Sequence, residues 1–172
     1  MKYGELTLGQ IEALVNKVGG MDGVQDILSG LSVVVKKSVA VGSSLKNMIA
    51  LGHYDWVNSD ITEKRFPMAK DFVPGAEPEV FHFHSLISSD KAIAIMGADG
   101  YRPATIFDLL DYGAKKPEEQ RKYPIVALGS VADIGGCSVA YLDVDGDSKR
   151  YLDLDRFFCA WDASYRFLAV RK

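Results

Sequence analysis

Cysteine is scarce, long apolar runs are missing, and basic residues are not in excess. Each absence removes a class of function. Two cysteines, Cys137 and Cys159, in 172 residues cannot build a disulfide scaffold. They read as free thiols compatible with a reducing compartment. Apolar runs such as residues 33–35 and 92–96 are far too short to cross a bilayer, so no membrane insertion is expected. The opening MKYGELTLGQ has no apolar h-region. No secretory signal is therefore expected, and the location is left open between cytoplasmic and virion-associated. With 20 Lys and Arg against 23 Asp and Glu, the net charge is −3. Nothing stands ready to neutralise phosphates, so nucleic acid is not an expected partner. No phosphate-binding glycine loop, G-x-S-x-G or H-E-x-x-H is present, which leans away from an enzyme.

What is there is an ordinary globular composition, 48% hydrophobic and 25% charged, in a chain long enough for one domain with a real core. Thr7 and Gln10 form a capping box ahead of a stripe of Leu8, Ile11, Leu14, Val15 and Val18. Gly19-Gly20 stops that helix, and Asp22 opens a second one ended by Gly30, so residues 7–30 read as a helical hairpin. Residues 32–36 are β-branched and strand-like. Ser44 caps a short helix with Gly52 after it, and residues 53–57 alternate with Tyr54 and Trp56 on one face. Three prolines make residues 58–78 a long loop. A strand over 79–86, a helix capped by Ser88 or Ser89, and a helix opened by Thr105-x-x-Asp108 follow. Pro117 begins a helical turn, and residues 123–130 read as a strand. Two strands, 137–144 and 148–154, flank Asp145-Gly146, a hairpin signal because Asp-Gly tolerates positive φ. Strands cluster late and helices early, which favours an α+β fold. The expected organisation is a single domain, 1–172, with a helical hairpin over 1–31 and a body over 32–172.

Few constellations carry chemistry. His82-x-His84 could offer two imidazoles to a metal, but only His53 remains as a third and no second cluster completes a ligand set. Two structural or surface histidines are the preferred reading. Residues 143–147, DVDGD, look like the start of a calcium loop, but Leu154 occupies the twelfth position where that loop needs Glu. A hairpin turn explains them better. Neither cysteine has a neighbour in sequence that would activate a thiolate. No metal and no other cofactor is expected.

The last 23 residues, RYLDLDRFFCAWDASYRFLAVRK, are the most informative. Aromatics mixed with Asp, Arg and Ser are the material of recognition surfaces. Residues 165–171 alternate as a strand, with Arg166, Leu168 and Val170 on one side and Tyr165, Phe167 and Ala169 on the other. One reading is a displayed loop over 155–164 pinned to a sheet by a C-terminal strand. The other is an amphipathic helix, because Leu154, Phe158, Trp161, Tyr165 and Leu168 also recur at helical spacing. Composition and spacing leave both open.

Two segments together carry a resemblance. Gly100-Tyr101-Arg102-Pro103-Ala104-Thr105, followed by a helix containing Asp108, Leu109 and Tyr112-Gly113-Ala114, resembles the G-Y/W-R-L-P-T-x-x-E-W-E-Y-A element of the formylglycine-generating-enzyme branch of the C-type lectin fold. The closing YRFLAVR is similar to the G-F-R-hydrophobic-V-R strand of the same domains. The likeness covers roughly residues 80–172. Pro103 and Ala104 depart from the Leu and Pro of that element. Cys137 and Cys159 are 22 apart rather than five, so the formylglycine chemistry does not carry over.

The chain more closely resembles variable proteins of diversity-generating retroelements, non-enzymatic members of this fold group. Adenine-directed mutagenesis of AAC codons in that family yields codons ending in C. Every residue from Tyr151 to Tyr165 except Trp161 belongs to the reachable set. The resemblance implies an α+β C-type-lectin-like domain with a variable region at about 150–167. Its expected contact residues are Tyr151, Asp153, Asp155, Arg156, Phe157, Phe158, Cys159, Ala160, Asp162, Ala163, Ser164 and Tyr165. Leu152, Leu154, Trp161, Leu168 and Val170 would hold the scaffold. The implied partner is a protein or cell-surface ligand, with oligomerisation left open. The competing expectations are a formylglycine-generating-type or His82/His84 metal enzyme, and an assembly protein whose aromatic segment packs on a neighbouring subunit.

Overall fold

The computed structural model describes residues 8–18, 21, 22, 24–28 and 44–172. The chain divides into two compact units, residues 1–41 and 42–172. In the first, helix α1 spans Leu8–Lys17, and residues 24–28 are helical as well. Thr7, Gly19-Gly20, Gly30 and the strand expected at 32–36 lie outside the described residues.

The second unit is mixed α+β. Its helices are α2 (Leu45–Gly52), α3 (Ser89–Ala98) and α4 (Ile106–Lys115). Its strands are β1 (Trp56–Val57), β2 (Glu79–His82), β3 (Ile87–Ser88), β4 (Tyr101–Pro103), β5 (Ile125–Asp133), β6 (Cys137–Val144), β7 (Arg150–Arg156), β8 (Ala160–Trp161) and β9 (Arg166–Arg171). Six strands run in the order β1-β7-β6-β5-β9-β2, and β4 adds to β9 as the seventh; β3 and β8 form a separate pair. The C-terminal strand β9 is the hub. It lies parallel to β5 and antiparallel to both β2 and β4. A strand paired on both edges and covered on both faces must be apolar throughout, and Phe167, Leu168, Ala169 and Val170 are all buried.

Alternation along the strands divides the interior into two cores. On one face Leu152, Leu142, Ala140, Ile125, Leu168 and Val170 pack with residues of α2 and α4. On the other, Val139, Val126, Leu128, Phe167 and Ala169 pack with Ala92 and Met96 of α3, Ile87 of β3 and Trp161 of β8. The Gly100–Thr105 and Tyr165–Arg171 segments meet here. Tyr101 pairs with Arg171, Arg102 with Val170 and Pro103 with Ala169. Gly129 has to be glycine where this junction crosses β5, since a Cβ would stand 2.5 Å from the Pro103 carbonyl oxygen and 2.7 Å from that of Ala104.

The helix starts follow local chemistry. Ser44 accepts from Asn47 N, Ser88 from Lys91 N, and Thr105 forms a full capping box with Asp108. The Asp108 carboxylate, 1% exposed, also takes a 2.8 Å ion-pair contact from Arg102 Nη1. Arg150 is a second buried charge. Its guanidinium donates to the carbonyls of Gly52 (2.7 Å) and Gly113 (3.0 Å) and to Gln120 Oε1 (3.0 Å), and it stacks on Tyr54. The cation therefore meets carbonyls at the end of α2 and late in α4, where the helix dipoles are negative.

Several sequence expectations need correction. The alternating segment 53–57 gives only the two-residue β1. His53 instead takes a left-handed conformation, φ 48°, as the C-cap of α2. Tyr54 packs against the first core while Trp56 stands exposed. The strand expected over 79–86 ends at His82, and residues 117–122 are tight turns rather than a helical turn. Strand β5 runs on to Asp133 through a bulge between Ala127 and Val131, and β7 spans Arg150–Arg156 rather than 148–154. In the hairpin, positive φ falls on Ser148 (61°), not on Gly146. The Asp145 carboxylate fixes the turn by accepting from the backbone N–H of Asp147 and Lys149. Helical spacing from Leu154 to Leu168 forms no helix: β7, a turn, β8, a second turn and β9 succeed one another. Large aromatics recur there because alternate positions reach the second core, not because the backbone is helical.

Candidate functional site

The segment 151–165 leaves the sheet on β7, turns, makes β8, turns again and re-enters on β9. Its ends are held by pairing. Tyr151, Asp153 and Asp155 stand opposite Asp143, Tyr141 and Val139 of β6. Its middle is held by Trp161, 1% exposed. The Trp161 indole donates to Ser89 Oγ at 2.8 Å, and the same buried hydroxyl donates to the Phe157 carbonyl. Tyr165 and Phe167 pack edge-on against the indole, with centroids 5.0 and 6.0 Å away.

Between these anchors the side chains turn outward. Arg156, Phe158, Ala160, Asp162, Ala163 and Ser164 are exposed, and Phe158 at 76% is the most exposed of the large apolar residues described. Tyr151, Asp153, Asp155, Phe157, Cys159 and Tyr165 are half-buried. None of the twelve expected contact residues is buried. Leu152 and Trp161, expected as scaffold, are fully so, and Leu154 is half-buried against the first core.

The two turns are defined by their own carboxylates. Asp162 accepts from Ser164 N (2.7 Å) and its hydroxyl, which holds the Asp162 carboxyl below its ordinary range. Asp155 accepts from the Arg156 amide at 2.7 Å and faces the Cys159 thiol at 3.7 Å. The second turn is also held from outside: His82 Nε2 lies 2.8 Å from the Ala163 carbonyl, and Arg166 donates to the carbonyls of Ala163, Ser164 and Tyr165.

Sequence reasoning missed four neighbours that the register brings to this surface. Trp56 of β1 sits beside Tyr151, and Asn58 donates to Asp153 at 2.7 Å. Tyr141 Oη and Asp153 Oδ2 are 3.3 Å apart, Tyr151 Oη and Asp143 Oδ2 3.1 Å, and the two rings meet edge-on. The only signal in the sequence was a lone Trp in a short alternating segment. Burial first, then Asp143, pushes the Tyr151 hydroxyl up to about 12. Burial first, then Asp153, raises Tyr141; burial first, then Asp155, Asp143 and Asp162, raises Tyr165.

His82 and His84 do come together, with ring centroids 3.9 Å apart, but His82 is engaged with Ala163. Among the described residues no three His, Cys, Asp or Glu side chains gather as metal ligands. Cys137 and Cys159 are free, half-buried thiols lining one shallow cleft with Arg156 and Phe158. Among the described residues no helix is long and apolar enough to cross a membrane. No protein-family model, no curated protein and no solved structure matches the chain.

Proposed function

We propose that this is a binding protein, not an enzyme. It displays a variable C-terminal surface on a C-type-lectin-like scaffold and is diversified by a retroelement. The observation that carries the reading is the division within residues 151–165. The twelve residues assigned to contact all reach solvent, and the unreachable Trp161 is buried and hydrogen-bonded to Ser89. A segment whose backbone is fixed at both ends and in the middle can exchange its outward side chains without disturbing either core, apart from Phe157 and Tyr165, which pack on the second. The pairing of the Gly100–Thr105 and Tyr165–Arg171 segments on adjacent strands supports the lectin-like assignment, because a shared junction gives the two likenesses a common structural reason. The ligand is a protein or cell-surface group. Exposed aromatics would supply anchors, and Asp, Arg and Ser directional hydrogen bonds.

Sequencing the DNA around the coding region tests this. A near-identical, adenine-richer copy of the segment encoding residues 150–167, beside a reverse transcriptase gene, is expected. Its differences should fall on codons of the outward residues and spare Trp161. A genome with neither the copy nor the reverse transcriptase would overturn the retroelement origin.

A further inference from the structure

The second face of the sheet is filled by α3 and the β3–β8 pair over β5, β9 and Val139 of β6, with Tyr141 at the border of that core. Toward β7 and β1 it carries Trp56, Tyr141 and Tyr151 among Asp143, Asp153 and Asp155. Trp56 is 52% exposed, and neither Trp56 nor Tyr151 belongs to either core. The charge here has one sign. Among the described residues, no Lys or Arg forms an ion pair with Asp143, Asp153 or Asp155, whereas Asp60, Asp71, Asp108 and Asp111 each have one. The ionic charges felt by Tyr141, Tyr151 and Tyr165 are anionic. The nearby Arg150 points into the opposite core.

We infer that this face docks an arginine-bearing basic segment of the partner protein. A guanidinium is planar and weakly hydrated. It stacks on Trp and Tyr rings while its N–H groups reach carboxylates beside them. The carboxylates are already oriented, Asp143 by the Val144 amide and Asp153 by Asn58 and the Leu154 amide, and each keeps free lone pairs. Trp56, Tyr141 and Asp143 lie outside the exchangeable segment. They give the surface a constant electrostatic preference beneath its variable one. The inference rests on the display reading for its partner; Tyr151, Asp153 and Asp155 belong to the exchangeable segment, whereas Trp56, Tyr141 and Asp143 are residues that diversification leaves alone.

The test is fluorescence anisotropy of fluorescein-labelled nona-arginine with the full chain at about 50 mM salt, where surface electrostatics is weakly screened. Binding is expected, and it should weaken as salt rises. Trp56→Ala, and separately Asp143→Asn with Asp153→Asn, should each weaken it by about tenfold or more. Glu63→Gln with Glu77→Gln removes two exposed carboxylates elsewhere and should change it by less than about twofold. Circular dichroism confirms that each variant is folded; if the double Asn variant unfolds, Trp56→Ala and the Glu control still decide. Absence of binding, or equal losses for the face and control variants, overturns the inference. The combined variant R156S/F158S/D162N, within the exchangeable segment, should keep nona-arginine affinity within about twofold. A tenfold loss there would place the basic-group site on the variable turns and equally overturn it. The flanking DNA decides the retroelement reading separately.

Discussion

Trp161 and Ser89 are joined by a 2.8 Å hydrogen bond across 72 residues of sequence, from the indole Nε1 to the hydroxyl. Ser89, in the first turn of α3, in turn donates to the Phe157 carbonyl. One small hydroxyl therefore fixes the depth at which the 151–165 segment sits on the domain.

Ser89→Ala leaves a buried indole N–H and a carbonyl without partners and should cost about 1–3 kcal/mol. Trp161→Ala removes the whole anchor and should cost about 3–5 kcal/mol. Urea unfolding measures both. Unchanged stability in either variant would mean that the segment is not held through this contact.

The Arg102–Asp108 pair is the second fixed point, because Asp108 caps α4 as well as neutralising Arg102. Asp108→Ala removes both roles and should cost about 3 kcal/mol or more. Asp108→Asn keeps an acceptor for the cap and should cost less. Thermal unfolding of the two variants that gives the reverse order would show the cap, not the charge, to be the smaller part.

Alkaline pH should unfold the protein early. Burial pushes the Tyr112 and Tyr151 hydroxyls up to about 12 and raises Tyr54 and Tyr141 as well, against about 10 in an unfolded chain. A raised folded value means the native state holds the proton more tightly. That stability is fully present below about pH 10 and is lost as pH rises toward 12. Denaturation midpoints from pH 8 to 12 should fall above about pH 10. A flat profile, with all eight tyrosines ionising near 10 in the folded protein, would contradict it.

His82 and His84 should bind no metal. Their rings lie against each other and His82 is committed to Ala163. Protein purified without added metal should contain no stoichiometric zinc or iron by elemental analysis, and adding zinc should not raise its melting temperature. Bound metal that is lost on replacing either histidine would restore the enzyme alternative.

What was legible in the sequence was local. Ser44, Ser88 and Thr105 announce helix starts because a cap acts over three residues. The Cys137–Val144 strand and its hairpin follow from alternation and one turn. The strand at 166–171 is legible for the same reason, whereas composition and spacing left loop and helix both open over 154–168. What was not legible depends on pairing between distant segments. Trp56 reaches Tyr151 only through a parallel contact of β1 with β7, which no local pattern encodes. Arg150 reads as an ordinary strand charge until two carbonyls and Gln120 surround it. The exposure of the expected contact residues was legible because exposure in a turn-rich segment tracks composition. Their fixed neighbours Tyr141 and Asp143 were missed because a residue on one strand becomes part of a surface only through the register of the next.

Randomising the codons of positions 153, 155, 156, 158–160 and 162–164 together, and selecting the displayed full-length chains for protease resistance, tests the division into patch and scaffold most directly. Most members of this library should remain resistant, while a matched library at 152, 161, 167 and 168 should be almost wholly degraded. Equal loss in both libraries would contradict the division, and with it the reading of this chain as a scaffold for exchangeable contacts.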